Sequence, residues 1–233
     1  YDNTGALSAT TWRHVEFIEH LRVNGGAERV TEMQPFQSNW LMLSDVCKHC
    51  DRAGCLEACP TGALFRTEFG TVVVQQDICN GCGYCAPACP FGVVEVAADD
   101  GKAHKCTLCY DRLKGGLEPA CAKSCPTDSI QFGRLEDLQA RAIGRVKDLQ
   151  TRGVESAYLY GVEGQNGSPG STGGIGDLHA FFLLTDRPEV YNLPSAPTLP
   201  SRRVRPGLIR GLAAMAGVAV ATAALFWSGS RDG

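Results

Sequence analysis

All 12 cysteines of this 233-residue chain fall between Cys47 and Cys125. They form three blocks: Cys47-x2-Cys50-x4-Cys55-x3-Cys59-Pro60, Cys79-x2-Cys82-x2-Cys85-x3-Cys89-Pro90 and Cys106-x2-Cys109-x11-Cys121-x3-Cys125-Pro126. Each block ends in the same Cys-x3-Cys-Pro string. Two or three closely spaced cysteines let a short loop wrap one face of a bound group. The cysteine before proline starts the next element and aims its sulfur elsewhere. Proline removes an N–H donor and fixes φ, so the chain turns at the same point in every block.

Thiolates are soft, charged donors that suit iron. Runs of this spacing hold cubane [4Fe-4S] clusters, and in two-cluster proteins the fourth cysteine of a run ligates the other cluster. Two other chemistries use dense cysteines. A disulfide framework needs an oxidising compartment and has no use for three Cys-Pro endings. Zinc takes paired Cys-x2-Cys groups across a longer spacer, whereas the first two blocks crowd four thiols into 13 and 11 residues. A redox-silent, zinc-binding structural adaptor is the alternative of a different class.

The blocks belong to an internal repeat. Cys59-Pro-Thr-Gly-Ala-Leu-Phe, Cys89-Pro-Phe-Gly-Val-Val-Glu and Cys125-Pro-Thr-Asp-Ser-Ile-Gln-Phe each read as a turn leading into a short β segment. Gly62, Gly92 and Asp128 stand where the chain must bend tightly. Hairpins are expected from residues 63–67 to 72–75 and from 93–97 to 102–105. The fold class is therefore α+β: ferredoxin-like iron–sulfur domains, with clusters replacing a hydrophobic core that so short a region could not otherwise supply.

Beyond Gly133 the texture changes. Residues 135–150 carry apolar positions at helical spacing and read as a surface helix. Residues 154–160 and 178–184 read as strands, separated by a glycine-rich loop. Residues 186–206 are proline-rich and read as an extended linker. Residues 207–227 carry one charge, Arg210. At 1.5 Å per residue this segment would span about 31 Å, enough to cross a bilayer as a helix. Trp227 suits an interfacial anchor, and the small residues Gly211, Ala213, Ala214, Ala216, Gly217 and Ala219 suit close helix packing. Arg202, Arg203, Arg205 and Arg210 precede the span and Arg231 follows it, a bias that places the cluster region on the cytoplasmic face. The net charge of −3 and the lack of a basic stripe give no footprint for nucleic acid.

The three blocks, the start Tyr1–Trp12 (YDNTGALSATTW), the stretch Thr185–Pro194 (TDRPEVYNLP) and the single C-terminal apolar span together resemble the iron–sulfur beta subunit of membrane-bound formate dehydrogenase. That family lies within the four-cluster ferredoxin-like subunits of molybdopterin oxidoreductases. The cysteine blocks alone are similar to those of many such subunits, and the tail and its flanking motif narrow the match. The resemblance implies a non-catalytic electron-transfer subunit between a molybdenum or tungsten catalytic subunit and a membrane cytochrome b. It also implies contact with membrane lipid, a single pass through the cell membrane and a cluster domain on the extracytoplasmic face. The last point opposes the charge bias.

The family has four cysteine blocks and four [4Fe-4S] clusters. This chain shows three blocks, so the remaining one is expected N-terminal to Tyr1. The resemblance implies ligation by exchange. Cys47, Cys50 and Cys55 with Cys89 would hold one cluster, and Cys79, Cys82 and Cys85 with Cys59 a second. Cys106, Cys109 and Cys121 would belong to a third and Cys125 to a fourth, unless Cys125 folds back to complete a local third cluster. The chain would thus bind three or four clusters through iron–cysteine bonds. The domain division expected is 1–44 as the N-terminal part of the first ferredoxin-like half, 45–102 as a two-cluster domain, 103–185 as the remainder of the first half, 186–206 as linker and 207–227 as transmembrane helix.

On this reading the chain makes and breaks no substrate bonds; it spaces clusters and sets their potentials. Lys48, Lys105 and Arg112 lie beside cluster cysteines and would raise a potential if buried, or do nothing if solvated. Within electron transfer, the alternative is a subunit of another molybdopterin oxidoreductase acting on nitrate, sulfoxide or polysulfide.

Overall fold

A computed structural model of the chain describes residues 5–22, 37–164 and 174–229. Around the cysteines, regular structure is short. Strand β3 (Leu64–Arg66) pairs antiparallel with β4 (Val72–Val74), and β5 (Glu95–Val96) with β6 (Ala103–His104). These are the two expected hairpins, trimmed at their ends. One-turn helices α1 (Gly54–Glu57), α2 (Cys85–Ala88) and α4 (Ala120–Lys123) each lead to the cysteine that precedes proline, and α3 (Tyr110–Lys114) follows Cys109.

The repeat is visible in the backbone. The third residue after each Cys-Pro cysteine is left-handed: Gly62 at φ 70°, Gly92 at 64° and Asp128 at 52°. The residue before the second cysteine of each block is left-handed too: His49 at 44°, Gly81 at 73° and Leu108 at 53°. Glycine meets this requirement freely, while histidine and leucine hold it at a cost in strain. At Gly81 a side chain would also collide, since a Cβ there would lie 2.0 Å from the Gly101 carbonyl oxygen. Successive N–H groups in such turns converge into a concavity that favours an anion.

Two apolar clusters support this region. One is built from Ala53, Cys55, Leu64, Val72, Cys85, Val94 and Ala103, with Cys50, Cys59, Cys79 and Cys89 packed against it. Here thiols occupy the positions of core side chains. The second contains Leu43, Tyr160, Ile175, Leu178, Leu184, Tyr191, Leu193 and Leu199. It joins β7 (Tyr158–Tyr160) and β8 (Phe182–Leu184) to the long hairpin β1 (Arg13–Arg22) and β2 (Gln37–Val46).

Three features depart from the sequence reading. The β1–β2 hairpin was not anticipated, because its strands are separated by a long segment rather than a turn signal. The proline-rich stretch 186–206 is not an extended linker. Tyr191, Leu193 and Leu199 within it are buried in the second cluster, and residues 188–191 form a 3-10 turn. The C-terminal helix α6 then begins inside that stretch and runs Pro200–Gly229. Strands β7 and β8 are three residues each, shorter than expected. Helix α5 (Leu135–Thr151) has no buried residue, as a surface helix should. Within α6, residues 200–222 are long and apolar enough to cross a membrane, with mean hydropathy 1.3 and none of the apolar stretch buried.

Candidate metal centres

The hairpins and one-turn helices bring the cysteines into groups. The Cys50 thiol has Cys47, Cys89 and Cys55 as its electrostatic neighbours. All four line one cavity, together with Lys48 and His49. The Cys85 thiol has Cys79, Cys82 and Cys59 as its electrostatic neighbours. In both groups the fourth cysteine comes from the other block. The two blocks meet because α1 packs directly on α2: a Cβ on Gly54 would lie 2.5 Å from the Ala88 carbonyl oxygen.

The third block is placed differently. Cys106 accepts the Leu108 N–H at 3.3 Å and has Cys47 of the first block as an electrostatic neighbour. Cys109 caps α3 with φ 52°, and Cys121 lies within α4. Cys125 is held in its own turn, with Ser129 Oγ at 3.2 Å and Thr127 Oγ1 at 3.5 Å from its sulfur. Those hydroxyls, Ser129 first, pull its thiol down to about 6.

Burial drives Cys50, Cys55, Cys89 and Cys106 the other way. Cys50 is pushed well above the usual thiol range by burial and by the neighbouring Cys47, and burial lifts Cys55 to about 12. Burial likewise raises Cys89, and it lifts Cys106 to about 11. Left alone, these thiols keep their protons. A metal that binds them as thiolates must displace those protons and supply the positive charge.

Two buried lysines flank the first group. Lys48 pairs with Asp45 and stacks its ammonium 5.1 Å from the Phe91 ring centre and 5.5 Å from that of Phe182. Lys105 is 2% exposed. Its Nζ lies 3.4 Å from Cys47 Sγ and donates to the Cys106 carbonyl at 3.0 Å and to the Val72 carbonyl. Among the described residues no carboxylate pairs with it. A buried cation without a counter-ion costs several kcal/mol, so this site calls for an anion at Cys47, which a thiolate-bound cluster supplies. Burial thus decides that Lys48 and Lys105 are not solvated surface charges. Arg112 is half-buried and donates Nε–H to the Glu118 carbonyl at 2.8 Å.

Two residues that the sequence reading missed complete the first site. Arg66 donates to the carbonyls of Cys50 at 2.7 Å, Gly70 at 2.6 Å and Asp51, clamping the loop onto β3. His49 is buried, and its Nδ1 accepts the Val72 N–H at 3.0 Å. Burial, reinforced by the Lys105 charge, holds its pKa well below the ordinary histidine value. The His between the first two cysteines was the available signal for the latter. Among the described residues no three His, Cys, Asp or Glu side chains converge tightly enough for a single ion. Zinc would need its sulfurs about 2.3 Å away.

The cavity, the thiols and the unpaired Lys105 fit an iron–sulfur cluster. Comparison with known proteins agrees. The 4Fe-4S dicluster domain family matches residues 38–135. The formate dehydrogenase, nitrate-inducible, iron-sulfur subunit of Escherichia coli K12 is 37% identical over 231 residues, covering 97% of this chain and 71% of that protein. This chain belongs to the formate dehydrogenase iron–sulfur subunits. It is an iron–sulfur protein of electron transport, of the [4Fe-4S] type. The formate dehydrogenase iron-sulfur subunit of Haemophilus influenzae is 39% identical over 203 residues, 85% of this chain and 58% of that protein. Similarity to the thiosulfate reductase electron transfer subunit PhsB of Salmonella typhi is confined to a shorter region. It is 49% identical over 94 residues, 40% of this chain and 49% of that protein. The match to that electron-transfer subunit thus covers less than half of this chain, whereas the Escherichia coli formate dehydrogenase subunit matches nearly the whole of it.

Proposed function

We propose that this subunit relays electrons from a molybdenum or tungsten formate-oxidising subunit, through its [4Fe-4S] clusters, to a cytochrome b in the membrane. The assignment has Cys47, Cys50, Cys55 and Cys89 holding one cluster, and Cys79, Cys82, Cys85 and Cys59 a second. Cys106, Cys109 and Cys121 contribute to a third, and Cys125 to a fourth. The carrying observation is the exchanged grouping of thiols around Cys50 and Cys85. When bound, the clusters supply reversible one-electron storage. The chain's own residues hold them apart, exclude water from Cys47 and Cys55, and place two ammonium groups beside the first site.

Helix α6 serves as the membrane anchor in this reading. Its start is tied to the first site: Ser201 Oγ donates to Glu57 Oε2 at 2.7 Å, and Leu199 and Pro200 pack beside Gly54 next to Cys55. This supports the Cys47 group as the one nearest the membrane end of the relay. By family likeness the cluster region faces the extracytoplasmic side, and the arginines before the span are then carried across with a folded partner.

The test uses the complex purified anaerobically. Cys89→Ser should extinguish the same EPR signal as Cys47→Ser, and Cys59→Ser the same signal as Cys79→Ser. Formate-dependent quinone reduction should fall in all four variants. If Cys59→Ser and Cys47→Ser remove one common signal, each block holds its own cluster and the exchange is refuted.

A further inference from the structure

His49 sits between Cys47 and Cys50 in a left-handed conformation, φ 44°, and is 1% exposed. Its Nδ1 accepts the Val72 N–H at 3.0 Å. A ring nitrogen that accepts carries no proton, so the neutral imidazole holds its proton on Nε2. Nε2 is buried and has no hydrogen-bond partner among the described residues. The charged groups whose field bears on the ring are Lys105, His179 and Arg66, and the cavity thiols Cys47, Cys50, Cys55 and Cys89 lie beside it. Lys105 and Arg66 have only N–H groups to offer, and Arg66 spends its own on the Cys50, Asp51 and Gly70 carbonyls. A buried N–H left unsatisfied costs about 1–3 kcal/mol. The ring lines the cavity formed by Cys47, Cys50, Cys55 and Cys89, and the group that belongs there presents sulfur acceptors.

We propose that His49 Nε2–H donates a hydrogen bond to a sulfur of the cluster held by Cys47, Cys50, Cys55 and Cys89, and so raises the reduction potential of that cluster alone. The inference rests on the ligand assignment above. Hydrogen bonds to cluster sulfurs are one of the levers that set potential, because they stabilise the more negative reduced state. The backbone repeat provides an internal control. The equivalent left-handed positions in the other blocks are Gly81 and Leu108, and neither side chain has a donor. The three blocks share one local fold, and only the first carries this N–H.

The experiment is an EPR-monitored redox titration of the intact complex. Asparagine tolerates positive φ better than most residues. In His49→Asn its Oδ1 can take over the Val72 N–H, and nothing reaches the position of Nε2. The equilibrium constant for reducing the Cys47-group cluster should fall about tenfold, a drop of roughly 59 mV for one electron. The other clusters should stay in place. His49→Gln, whose amide N–H reaches the Nε2 position, should recover part of the loss. In the wild type, pulsed EPR should show a proton coupled to this reduced cluster that exchanges in D2O, and His49→Asn should lack it. An unchanged potential in His49→Asn overturns the proposal, and so does an equal shift of every cluster. If His49→Asn fails to assemble, the wild-type spectrum decides, and absence of an exchangeable coupled proton refutes the hydrogen bond. A shift in a signal other than the one removed by Cys89→Ser would instead refute the ligand assignment.

Discussion

Replacing Lys105 by glutamine tests whether a buried cation sets the potential of the first site. Glutamine keeps N–H groups for the Val72 and Cys106 carbonyls and removes the charge. Nζ lies 3.4 Å from Cys47 Sγ. At an effective dielectric of about 20, a full unit charge at that distance would interact by about 5 kcal/mol. The electron that reduces a cluster is shared over its irons and sulfurs, most of them farther from Nζ than Cys47 Sγ, which brings the effect to roughly 2 kcal/mol. For a one-electron couple that is roughly 85 mV. The sign follows from charge. The ammonium favours the reduced, more negative cluster, so its removal lowers the potential. The cluster with Cys106 should shift in the same direction, since Lys105 also contacts that residue's carbonyl. The Cys79 group should not move. Because Lys105 is almost fully buried, the shift should persist at high salt, where surface charges are screened. The assay is potentiometric titration of the assembled complex, with each EPR signal followed separately. A shift below about 20 mV at the first site would refute the electrostatic argument, since it would leave less than a quarter of the interaction worked out above. An upward shift would refute it outright.

Three further outcomes follow from the same geometry. Gly81→Ala combines a left-handed backbone with a Cβ 2.0 Å from the Gly101 carbonyl; the φ cost alone is about 1 kcal/mol and the clash adds more, so iron content at the Cys79 group should drop, and full retention of iron would show that the turn can relax. Removing residues 207–233 should leave the clusters in place and release the subunit from the membrane or from the cytochrome proposed above, because residues 200–222 form a bilayer-length apolar helix; a truncated chain that still fractionates with membranes on its own would exclude α6 as the anchor. Cys121→Ser should disturb the EPR signal shared with Cys106 and Cys109, and Cys125→Ser a different one; loss of one common signal would mean a single local cluster.

What the sequence determined by itself is local. Cys-x2-Cys spacing, proline after the last cysteine, and Gly62, Gly92 and Asp128 in left-handed turns act within a few residues. Each turn is dictated by φ preferences and a missing N–H, so its place could be read without neighbours. The hairpins at 64–74 and 95–104 and the helix at 135–151 were legible for the same reason, as was the apolar span at the C-terminus. The family was legible because so many local signatures occur in one order.

Tertiary structure decided everything that depends on distant residues meeting. Only α1 packing on α2 carries Cys89 to the Cys47 group and Cys59 to the Cys79 group. Lys105 reaches Cys47 across 58 positions, and whether a lysine is solvated or buried depends on what covers it. The proline-rich stretch 186–206 has linker composition, yet Tyr191, Leu193 and Leu199 find an apolar cluster to fill. Hydrophobic burial outweighs the local preference for an extended, solvated chain. The unpaired nitrogen of His49 belongs with these. A histidine between two cysteines says nothing about tautomer or partner until Val72, 23 residues away, takes one nitrogen of a ring that lines the thiol-lined cavity and leaves the other buried with no hydrogen-bond partner among the described residues.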